Sequence, residues 1–434
     1  MRRIFTRDSW LEYFKRIEMT LLEALVETNI IKEKIDFERL EECFSKVSIK
    51  DVEDMEKIVR HETMAVVRAL SKECGEIGKY IHLGATSNDI LDTIMALQLK
   101  EANAIVLRKL RSIIETLREL VEKYKDTPLL GRTHGRAAIP TTYGFRLATY
   151  LDELYRSYLR ISEASKLVLV GKLGGAIGTQ VELYPYGESI EKIFLEKLGL
   201  GKPEFYTQVI PRDRLAYYLN TLIILSSVLE HLANEIRIMQ RSGIEEVMEE
   251  FGEQQVGSSV MPHKRNPIMS ERVCGISRKL RALASSICEN IVLEDERDLR
   301  NSSFERSTIP EILILLDEQL DLIHRIIKNL RINTEQALTN IRREEPYIYS
   351  DLLLQHIAIR GGDRQVAHEK LRKILTQSPK LSTNQLKDMV MNDPYLSKYV
   401  NKDEIDTIFS LEPYIKAASE RVDKILQHTK ITYP

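Results

Sequence analysis

Cysteine, long apolar runs and an excess of charge of either sign are scarce or missing in this chain. Its four cysteines, at positions 43, 74, 274 and 288, form no Cys-x-x-Cys pair and have no close histidine partner. This spacing predicts free, mostly buried thiols in a reducing compartment. No run of about 18 consecutive apolar residues is present, which argues against a membrane span. The charged start, MRRIFTRDSWLEYFKR, lacks the apolar run of a signal peptide. We therefore expect a cytoplasmic protein.

The near balance of charge argues against a strong attraction to nucleic acid or to an anionic membrane. Lysine and arginine number 63 against 65 aspartates and glutamates, so the formal net charge is −2. Any anion must therefore be recognised by a local cluster. The chain also shows no metal-ligand spacing, no phosphate-binding glycine loop of the nucleotide-hydrolase type and no dinucleotide fingerprint. We expect an enzyme of this sequence to work without a metal or an organic cofactor.

Apolar residues recur at helical spacing in five long stretches of the chain. These run from Leu97 to Tyr124, Leu147 to Ile161, Leu215 to Met239, Met269 to Ile291 and Ile312 to Leu330. Helices of this length exceed the globular mean of about 11–12 residues and are typical of extended bundles. Because almost no credible strand is present, the sequence predicts an all-α fold. We expect three helical domains: an N-terminal domain over 1–90, a central long-helix bundle over 91–334 and a C-terminal domain over 335–434.

Polar and glycine-rich segments separate the helical stretches. Those at 131–135, 171–178, 207–214 and 257–267 are each predicted to be loops, and the glycines of 171–178 are expected to serve packing. Four consecutive N-cap residues, at 86–89, predict the start of a helix. Earlier in the chain, the run from Met55 to Leu70 carries apolar residues at helical spacing and predicts another helix.

Two histidines are candidates for acid–base chemistry. His134 lies between Thr133 and Gly135 in a predicted loop. An unperturbed imidazole has a pKa of about 6.5, which suits proton transfer at neutral pH. A lone histidine is, however, more often structural. His61 is the second candidate. Adjacent residues of a helix do not face each other, so the neighbouring Glu62 need not be its partner.

The segment 296–306, ERDLRNSSFER, is a candidate for anion binding. It holds three arginines and two serines. Guanidinium groups form bidentate bonds to phosphates and carboxylates, so this cluster can clamp either group. The alternative is that the segment is the solvated start of a charged helix.

The segment 257–267, GSSVMPHKRNP, is the most distinctive stretch of the chain. It contains two hydroxyls, an imidazole, two cations and an amide, with only Val260 and Met261 apolar. A loop that offers a nucleophile or base beside a lysine suits chemistry on an anion. Composition alone also fits a polar surface loop. The order of the residues, however, resembles the signature loop of the fumarase/aspartase superfamily in its GSSxMPxKxNP form.

Four further stretches resemble the adenylosuccinate lyase family of that superfamily. They are HLGATSNDILDT at 82–93, GRTHGRAAIPTTYG at 131–144, YTQVIPRDR at 206–214 and ERDLRNSSFER at 296–306. The resemblance runs over nearly the whole chain. It implies a β-elimination that releases fumarate from adenylosuccinate, giving AMP, and from succinylaminoimidazole-carboxamide ribotide. It also implies a homotetramer in which three subunits compose each active site.

The resemblance assigns a role to each candidate residue. It makes Ser258 the base and His134 the acid, with His61 assisting. A serine is a poor base unless its alkoxide is stabilised, so Lys264 and backbone donors are expected to close around it. The residues implied to hold the succinyl carboxylates are Thr86, Ser87, Thr133, Gln208, Lys264 and Asn266. Those implied to bind the nucleotide are Arg60, Glu62, Arg272, Arg297, Leu299, Ser302 and Arg306, with Arg297, Ser302 and Arg306 nearest the phosphate.

The sequence departs from the family pattern at three places. Glu62 replaces the usual aspartate after the Arg-His pair, and Arg136 replaces a common glutamine after the Thr-His-Gly triplet. Members also commonly begin with an Arg-Tyr pair that helps to hold the phosphate, whereas this chain starts at MRRIFTRD. Three explanations are open: Arg2 or Arg3 substitutes for the pair, the start is assigned late, or phosphate affinity is weak.

Two alternative functions compete with the purine-pathway lyase. One is another superfamily member, such as a carboxymuconate cycloisomerase, which has a similar signature loop. The stretches at 206–214 and 296–306 argue against it. The other is a non-catalytic nucleotide-binding homologue. Intact His134, Ser258 and Lys264 argue against that function, while the different N-terminus favours it slightly.

Overall fold

The computed structural model describes residues 1–377 and 381–431, and these are mostly helical. The α-helices are Arg7–Glu27 (α1), Phe37–Lys46 (α2), Ile49–Val59 (α3), Glu62–Cys74 (α4), Ser87–Lys123 (α5), Tyr143–Val168 (α6), Gly187–Leu198 (α7), Asp213–Met239 (α8), Ile268–Glu289 (α9), Arg300–Lys328 (α10), Thr334–Glu344 (α11), Ser350–Ile359 (α12), Arg364–Gln377 (α13), Thr383–Asn392 (α14), Lys402–Ile408 (α15) and Glu412–His428 (α16). Two antiparallel strand pairs join Pro128–Thr133 (β1) to Arg136–Thr142 (β2), and Val247–Met248 (β3) to Arg331–Ile332 (β4).

The five predicted long helices are confirmed as α5, α6, α8, α9 and α10. The longest, α5, has 37 residues, and Leu110, Ile113 and Leu117 on its apolar stripe are fully buried. The N-cap prediction also holds, because α5 begins at Ser87. Here the backbone N–H of Thr86 donates to Oδ2 of Asp89 at 2.8 Å. This bond satisfies a backbone donor that would otherwise lack an intrahelical partner.

The chain divides into two compact units. The first comprises Met1–Leu110, Ser157–Ser227 and Gly275–Asp321, and the second comprises Arg111–Arg156, Val228–Cys274 and Leu322–Pro434. Each of the five long helices contributes one part of its length to each unit. The division into three helical domains at residues 90 and 334 remains a proposal.

Each unit has its own apolar core. In the first, Phe14, Ile17 and Leu21 of α1 are fully buried among residues of α2, α4 and α7. In the second, Leu353, Ile357 and neighbouring residues of α11–α16 form a separate cluster with Leu130 of β1. Burying one such side chain stabilises a fold by about 1.5–3 kcal/mol, so these clusters fix the short helices around them.

Helix α8 is apolar and long enough to cross a membrane by length and composition. Of its most apolar 18-residue window, 61% is buried within the protein. The core helix of a soluble protein passes the same test, so this single helix is weak support for a membrane span.

The structure corrects the predicted loop at 131–135. This segment is the turn region of the β1–β2 hairpin, in which Thr133 pairs with Arg136. Gly131 is required because a Cβ there would lie 2.4 Å from the carbonyl oxygen of Ile139 on the opposite strand. Glycine is common in loops and also where two strands approach closely, so Gly131 was interpreted as part of a loop.

The prediction of one helix from Met55 to Leu70 is wrong. This run is two helices, because Arg60 adopts a left-handed conformation (φ 52°) and ends α3.

The prediction of four free thiols is also wrong. Cys43 on α2 and Cys74 on α4 are joined by a disulfide, with their Cα atoms 5.3 Å apart. Cys274 is a buried free thiol and Cys288 an exposed one. The two bonded cysteines are 31 residues apart, so only the packing of the helices brings them together.

A buried ion network ties three segments of the first unit together. Arg212, just before α8, donates to both oxygens of Asp92 on α5, at 2.8 and 3.1 Å. It also donates through Nε to Glu305 on α10 at 2.9 Å. Burial disfavours the charged guanidinium, but the two carboxylates outweigh this effect and raise the pKa of Arg212. Burial also raises the pKa of Glu305, against the opposing effect of Arg212.

Replacing Arg212 with methionine is predicted to destabilise the protein strongly. The substitution leaves two buried carboxylates unpaired, and breaking a buried ion pair in this way costs about 3–5 kcal/mol. The matched control is Arg214→Met, because Arg214 pairs with Glu204, whose side chain is 85% exposed. Thermal melts followed by circular dichroism should show a large decrease in the melting temperature for Arg212→Met and little change for Arg214→Met. Equal losses would contradict the assigned role of the network.

His82 is predicted to make stability depend on pH. Burial lowers its pKa, but Glu18 outweighs burial through its hydrogen bond (Nδ1 to Oε1, 2.7 Å) and its charge, so the pKa is raised above 6.5. The stabilisation of the folded state by His82 and Glu18 is therefore complete below pH 6.5 and is lost as the pH rises through the raised pKa of His82. Asparagine tolerates the left-handed backbone of His82 (φ 68°).

The destabilisation caused by His82→Asn should thus be about 2 kcal/mol at pH 6 and should shrink toward pH 9. Thermal midpoints of both proteins over this range test the prediction. A difference that stays constant or grows with pH would rule out a protonated His82.

Candidate active site

The first unit contains a cavity of about 250 Å³ with a mixed polar and apolar lining. Helices α1, α4, α5 and α10 and Arg297 contribute to its walls. Its polar lining includes Thr6, Arg7, Glu62, Asn88, Asp92, Gln98, Arg212, Arg297, Asn301, Ser302, Glu305 and Arg306. Its apolar wall includes Phe5, Trp10, Leu91, Ile94, Met95, Leu99 and Ile309. A small concave site with a few convergent polar groups is typical of ligand-binding pockets.

The break between α3 and α4 positions Glu62 in this cavity. His61 is extended (φ −151°) and caps α4, because its Nδ1 accepts the N–H of Met64 at 3.3 Å. Glu62 is then the first residue of α4. Its two carboxylate oxygens accept from Arg7 at 2.6 Å and from Arg306 at 2.5 Å. One carboxylate therefore links α1, α4 and α10.

Arg297 is held by a neutral partner rather than by a carboxylate. Its Nη1 donates to Oε1 of Gln208 at 2.8 Å, and Nε2 of Gln208 donates to the carbonyl of Ala176 at 2.6 Å. Across the described ranges, 1–377 and 381–431, no ion pair joins Arg297 to a carboxylate. Burial lowers the pKa of Arg297, and the nearby Arg212 lowers it further while Asp92 opposes them. An anion in the cavity would relieve this unfavourable burial of charge.

The start of α5 is fixed against the glycine-rich segment 171–178. Asp89 is fully buried and accepts the N–H groups of Gly174 and Gly175 at 2.8 and 3.0 Å. It also pairs with the buried Lys172. Thr86 and Ser87, which immediately precede this anchored turn, are therefore held in defined positions. The glycines approach the carboxylate closely, in agreement with the packing role expected of them.

In the second unit, the β1–β2 hairpin carries His134 at its exposed tip. His134 (φ 53°) and Gly135 (φ 75°) are both left-handed, as the two central residues of a type I′ turn must be. The preceding Arg132 forms bonds of 2.8 and 2.7 Å to the two oxygens of the fully buried Glu246. Asn340 donates to the same carboxylate at 2.9 Å. The hairpin is thus anchored at its base, and Thr133 and His134 are exposed beyond the anchor.

The signature loop also belongs to the second unit and is non-helical, as predicted. Oγ of Ser258 accepts the backbone N–H groups of Val260 at 3.3 Å and Met261 at 3.1 Å. Asn266 closes the loop by donating to the carbonyl of Gly257 at 2.9 Å. Gly257 must lack a side chain, because a Cβ there would lie 2.0 Å from the carbonyl oxygen of Lys264.

The end of the signature loop lines an open cavity of about 800 Å³ within the second unit. Lys264 is exposed, and Asn266 is partly buried. Arg237, Arg241 and His263 also line this space. Four arginine and lysine side chains against Glu245 and Glu271 make this lining net cationic, which suits an anionic substrate.

The predicted site residues fall into four groups. Thr86, Ser87 and Gln208 belong to the first unit but do not line its cavity. Glu62, Arg297, Ser302 and Arg306 line the first cavity, and Thr133, His134, Ser258, Lys264 and Asn266 lie at the hairpin tip or in the signature loop. Arg60, His61, Arg272 and Leu299 are exposed and do not line the first cavity. Sequence reasoning missed Arg7 and Gln98 as cavity residues. Nothing in the local sequence of Arg7 indicates that it meets Glu62, 55 residues away.

Within residues 1–377 and 381–431, no group of three or more His, Cys, Asp or Glu side chains is arranged to hold a metal ion.

The chain has the same fold as two solved structures on which it superposes closely. A fumarate lyase from Mesorhizobium sp. BNC1 superposes with a TM-score of 0.87 at 26% identity, over 98% of this chain and 97% of that one. The 3-carboxy-cis,cis-muconate lactonizing enzyme of Pseudomonas putida gives a TM-score of 0.85 at 25% identity, over 99% and 96%. The predicted helical fold of the fumarase/aspartase type is therefore confirmed.

Sequence comparisons define the family more narrowly. A family model described as Lyase matches residues 2–281, and one described as Adenylosuccinate lyase C-terminus matches residues 346–425. The adenylosuccinate lyase of Pyrococcus abyssi is 39% identical over 431 residues, which cover 99% of this chain and 95% of that protein. That of Archaeoglobus fulgidus is 37% identical over 427 residues, covering 98% and 95%. The chain belongs to the adenylosuccinate lyase family of carbon–nitrogen lyases, within the fumarase/aspartase superfamily.

Proposed function

We propose that the chain eliminates fumarate from adenylosuccinate and from succinylaminoimidazole-carboxamide ribotide, with Ser258 as the base and His134 as the acid. Ser258 removes a proton from the succinyl carbon next to a carboxylate. The bond between the succinyl group and nitrogen then breaks, and His134 protonates the leaving nitrogen. The products are fumarate and AMP, or fumarate and the carboxamide ribotide. The reaction needs no oxidant, reductant or cofactor.

The two hydrogen bonds to Oγ of Ser258 carry this proposal. A serine becomes a base only when its alkoxide is stabilised, and fixed backbone donors do this most effectively. The N–H groups of Val260 and Met261 already point at Oγ, at 3.3 and 3.1 Å. Lys264, six residues further on, supplies a positive charge to the same loop. Closure of the loop over substrate would exclude water and strengthen both effects.

His134 suits the role of acid because its location combines exposure with a firm support. The tip of the hairpin extends past the buried pair of Arg132 and Glu246. An imidazole held there can reach a bound substrate without a large loss of side-chain entropy. Thr133, beside it, offers a hydroxyl to a succinyl carboxylate. We also propose that His61 assists His134, as the family resemblance implies.

The two remaining parts of the substrate have candidate binding groups as well. We propose that Thr86, Ser87, Gln208, Lys264 and Asn266 bind the succinyl carboxylates. We propose that the nucleotide occupies the 250 Å³ cavity of the first unit, where Arg297, Ser302 and Arg306 face its phosphate. Arg60, Glu62, Arg272 and Leu299 complete the nucleotide-binding set.

We further propose that the protein is a cytoplasmic homotetramer and that three subunits compose each active site. Long helices with apolar stripes commonly bury those stripes against other subunits. Helix α8 exposes Tyr217, Ile224 and Ile238 in the single chain, which is consistent with such an interface.

Among the alternatives, a muconate cycloisomerase is the weaker hypothesis. The muconate lactonizing enzyme shares 25% identity with this chain, whereas the adenylosuccinate lyases share 37–39%. A non-catalytic nucleotide-binding homologue would keep the first cavity and would have no need for an activated serine. The hydrogen bonds to Ser258 therefore favour an enzyme.

Turnover of adenylosuccinate is predicted to depend on both Ser258 and His134. Ultraviolet absorbance should show conversion to AMP and fumarate by the unmodified protein. Ser258→Ala and His134→Ala should each lower kcat by at least about 100-fold, because each removes a proton-transfer group. Ser259→Ala is the matched control, because it removes the adjacent, exposed hydroxyl. Its kcat should decrease far less. A loss with Ser259→Ala but not with Ser258→Ala would reassign the base. Binding of adenylosuccinate without turnover by the unmodified protein would favour the non-catalytic homologue.

Subunit mixing is predicted to restore activity to inactive variants. If His134 and Ser258 of one site come from different subunits, mixed tetramers of His134→Ala and Ser258→Ala contain some intact sites. Random 1:1 assembly should return about a quarter of the normal activity. Co-expression with two affinity tags isolates the mixed species, and light scattering checks for the mass of four chains. A tetramer that stays inactive would contradict a site composed in this way.

A further inference from the structure

Arg7 is a cavity residue that the family resemblance does not assign. It is the first residue of α1, where Thr6 caps the helix by accepting the N–H of Ser9 at 3.2 Å. Its guanidinium is held on two sides. Nη1 donates to Glu62 at 2.6 Å, and the guanidinium carbon lies 4.8 Å from the centre of the Trp10 ring. A flexible cation is thereby kept at the rim of the cavity in one position.

Glu62 couples Arg7 to Arg306. The carboxylate receives one N–H from each guanidinium, at 2.6 and 2.5 Å. Each arginine has five N–H donors, so most of them remain available for an anion after these two bonds. The two side chains are 46% and 58% exposed, so a ligand can reach them. The shared carboxylate thus arranges two guanidinium forks side by side.

The charge of this group fits a phosphomonoester. Arg7, Arg297 and Arg306 face the cavity with one accessible carboxylate, Glu62, among them. Three positive charges against one negative charge leave two unneutralised. Arg212 with its two partners, Asp92 and Glu305, carries one excess negative charge, but these three side chains are buried and bonded to one another. The cavity lining as a whole is therefore net positive by one charge, and the accessible arginines attract a phosphate monoester, which carries about −1.5 to −2 at pH 7.

We infer that Arg7 binds the 5′-phosphate of the nucleotide together with Arg306, and that Glu62 and Trp10 hold it in the binding position. The inference rests on the proposed function only in taking this cavity as the nucleotide end of the site. It assigns the phosphate contact to Arg7 rather than to Arg2 or Arg3, neither of which lines the cavity.

The position of Trp10 makes the inference directly measurable. Trp10 is the only tryptophan of the chain and stacks under Arg7. Trp10 also lines the cavity, so its fluorescence should change when either AMP or adenosine occupies that space. Titration of the full-length protein with AMP and with adenosine, in a buffer free of phosphate, then gives two dissociation constants. Their ratio isolates the contribution of the phosphate group.

Arg7→Gln is expected to weaken AMP binding about tenfold and to leave adenosine binding within about twofold, because one charge-assisted contact is lost. The AMP affinity of Arg7→Lys should lie between those of the unmodified protein and Arg7→Gln, because lysine keeps the positive charge but lacks the forked guanidinium. Arg16→Gln removes the same charge from an exposed position on the same helix and should change neither constant. Thermal melts of each variant confirm folding.

Each outcome separates this inference from the proposed function. Unchanged AMP binding by Arg7→Gln, or an equal loss for AMP and adenosine, would overturn the inference even if the protein turns over adenylosuccinate. A selective loss of AMP binding would support it even if turnover were absent, in which case only the lyase reaction would fail. Equal losses for Arg16→Gln and Arg7→Gln would also overturn it, because general electrostatics would then explain the effect.

Discussion

The guanidinium of Arg212, buried between Asp92 and Glu305, is the constraint on which the first cavity depends. It joins α5, the segment before α8 and α10 at one point. The same segment carries Gln208, which holds Arg297 at 2.8 Å, and the same turn of α10 carries Ser302 and Arg306. A buried ion pair is costly to desolvate but specifies geometry, since any other arrangement leaves a charge unpaired. The cavity therefore has a rigid floor and a cationic rim.

The reactive groups of the second unit are positioned in a different way. His134 is exposed and Ser258 is half-buried, both on non-helical backbone, and each is supported by buried or backbone hydrogen bonds close to it. Glu246 anchors the hairpin through Arg132, and the N–H groups of Val260 and Met261 point at the serine oxygen. These hydrogen bonds keep the orientation of each proton-transfer group as it approaches a substrate.

Much of the fold could be predicted from the sequence because long amphipathic helices repeat their apolar pattern many times. The signature loop was equally clear, since its glycine and prolines exclude a helix. The hairpin at 128–142 was missed because Gly131 and Gly135, which permit close strands and a tight turn, resemble loop breaks. The break at Arg60 was missed because it contains neither glycine nor proline. Contacts that join distant residues, such as Arg7 with Glu62 or Cys43 with Cys74, leave no local trace in the sequence.

The central claim is that the protein breaks a carbon–nitrogen bond by elimination, with a base acting on the neighbouring succinyl carbon. Adenylosuccinate carrying two deuterium atoms on that carbon tests this directly when the products are analysed by mass spectrometry. Elimination predicts AMP together with fumarate that retains one deuterium, because the base removes the other. Hydrolysis at the purine ring would instead release aspartate that retains both deuterium atoms, and that result would contradict the account.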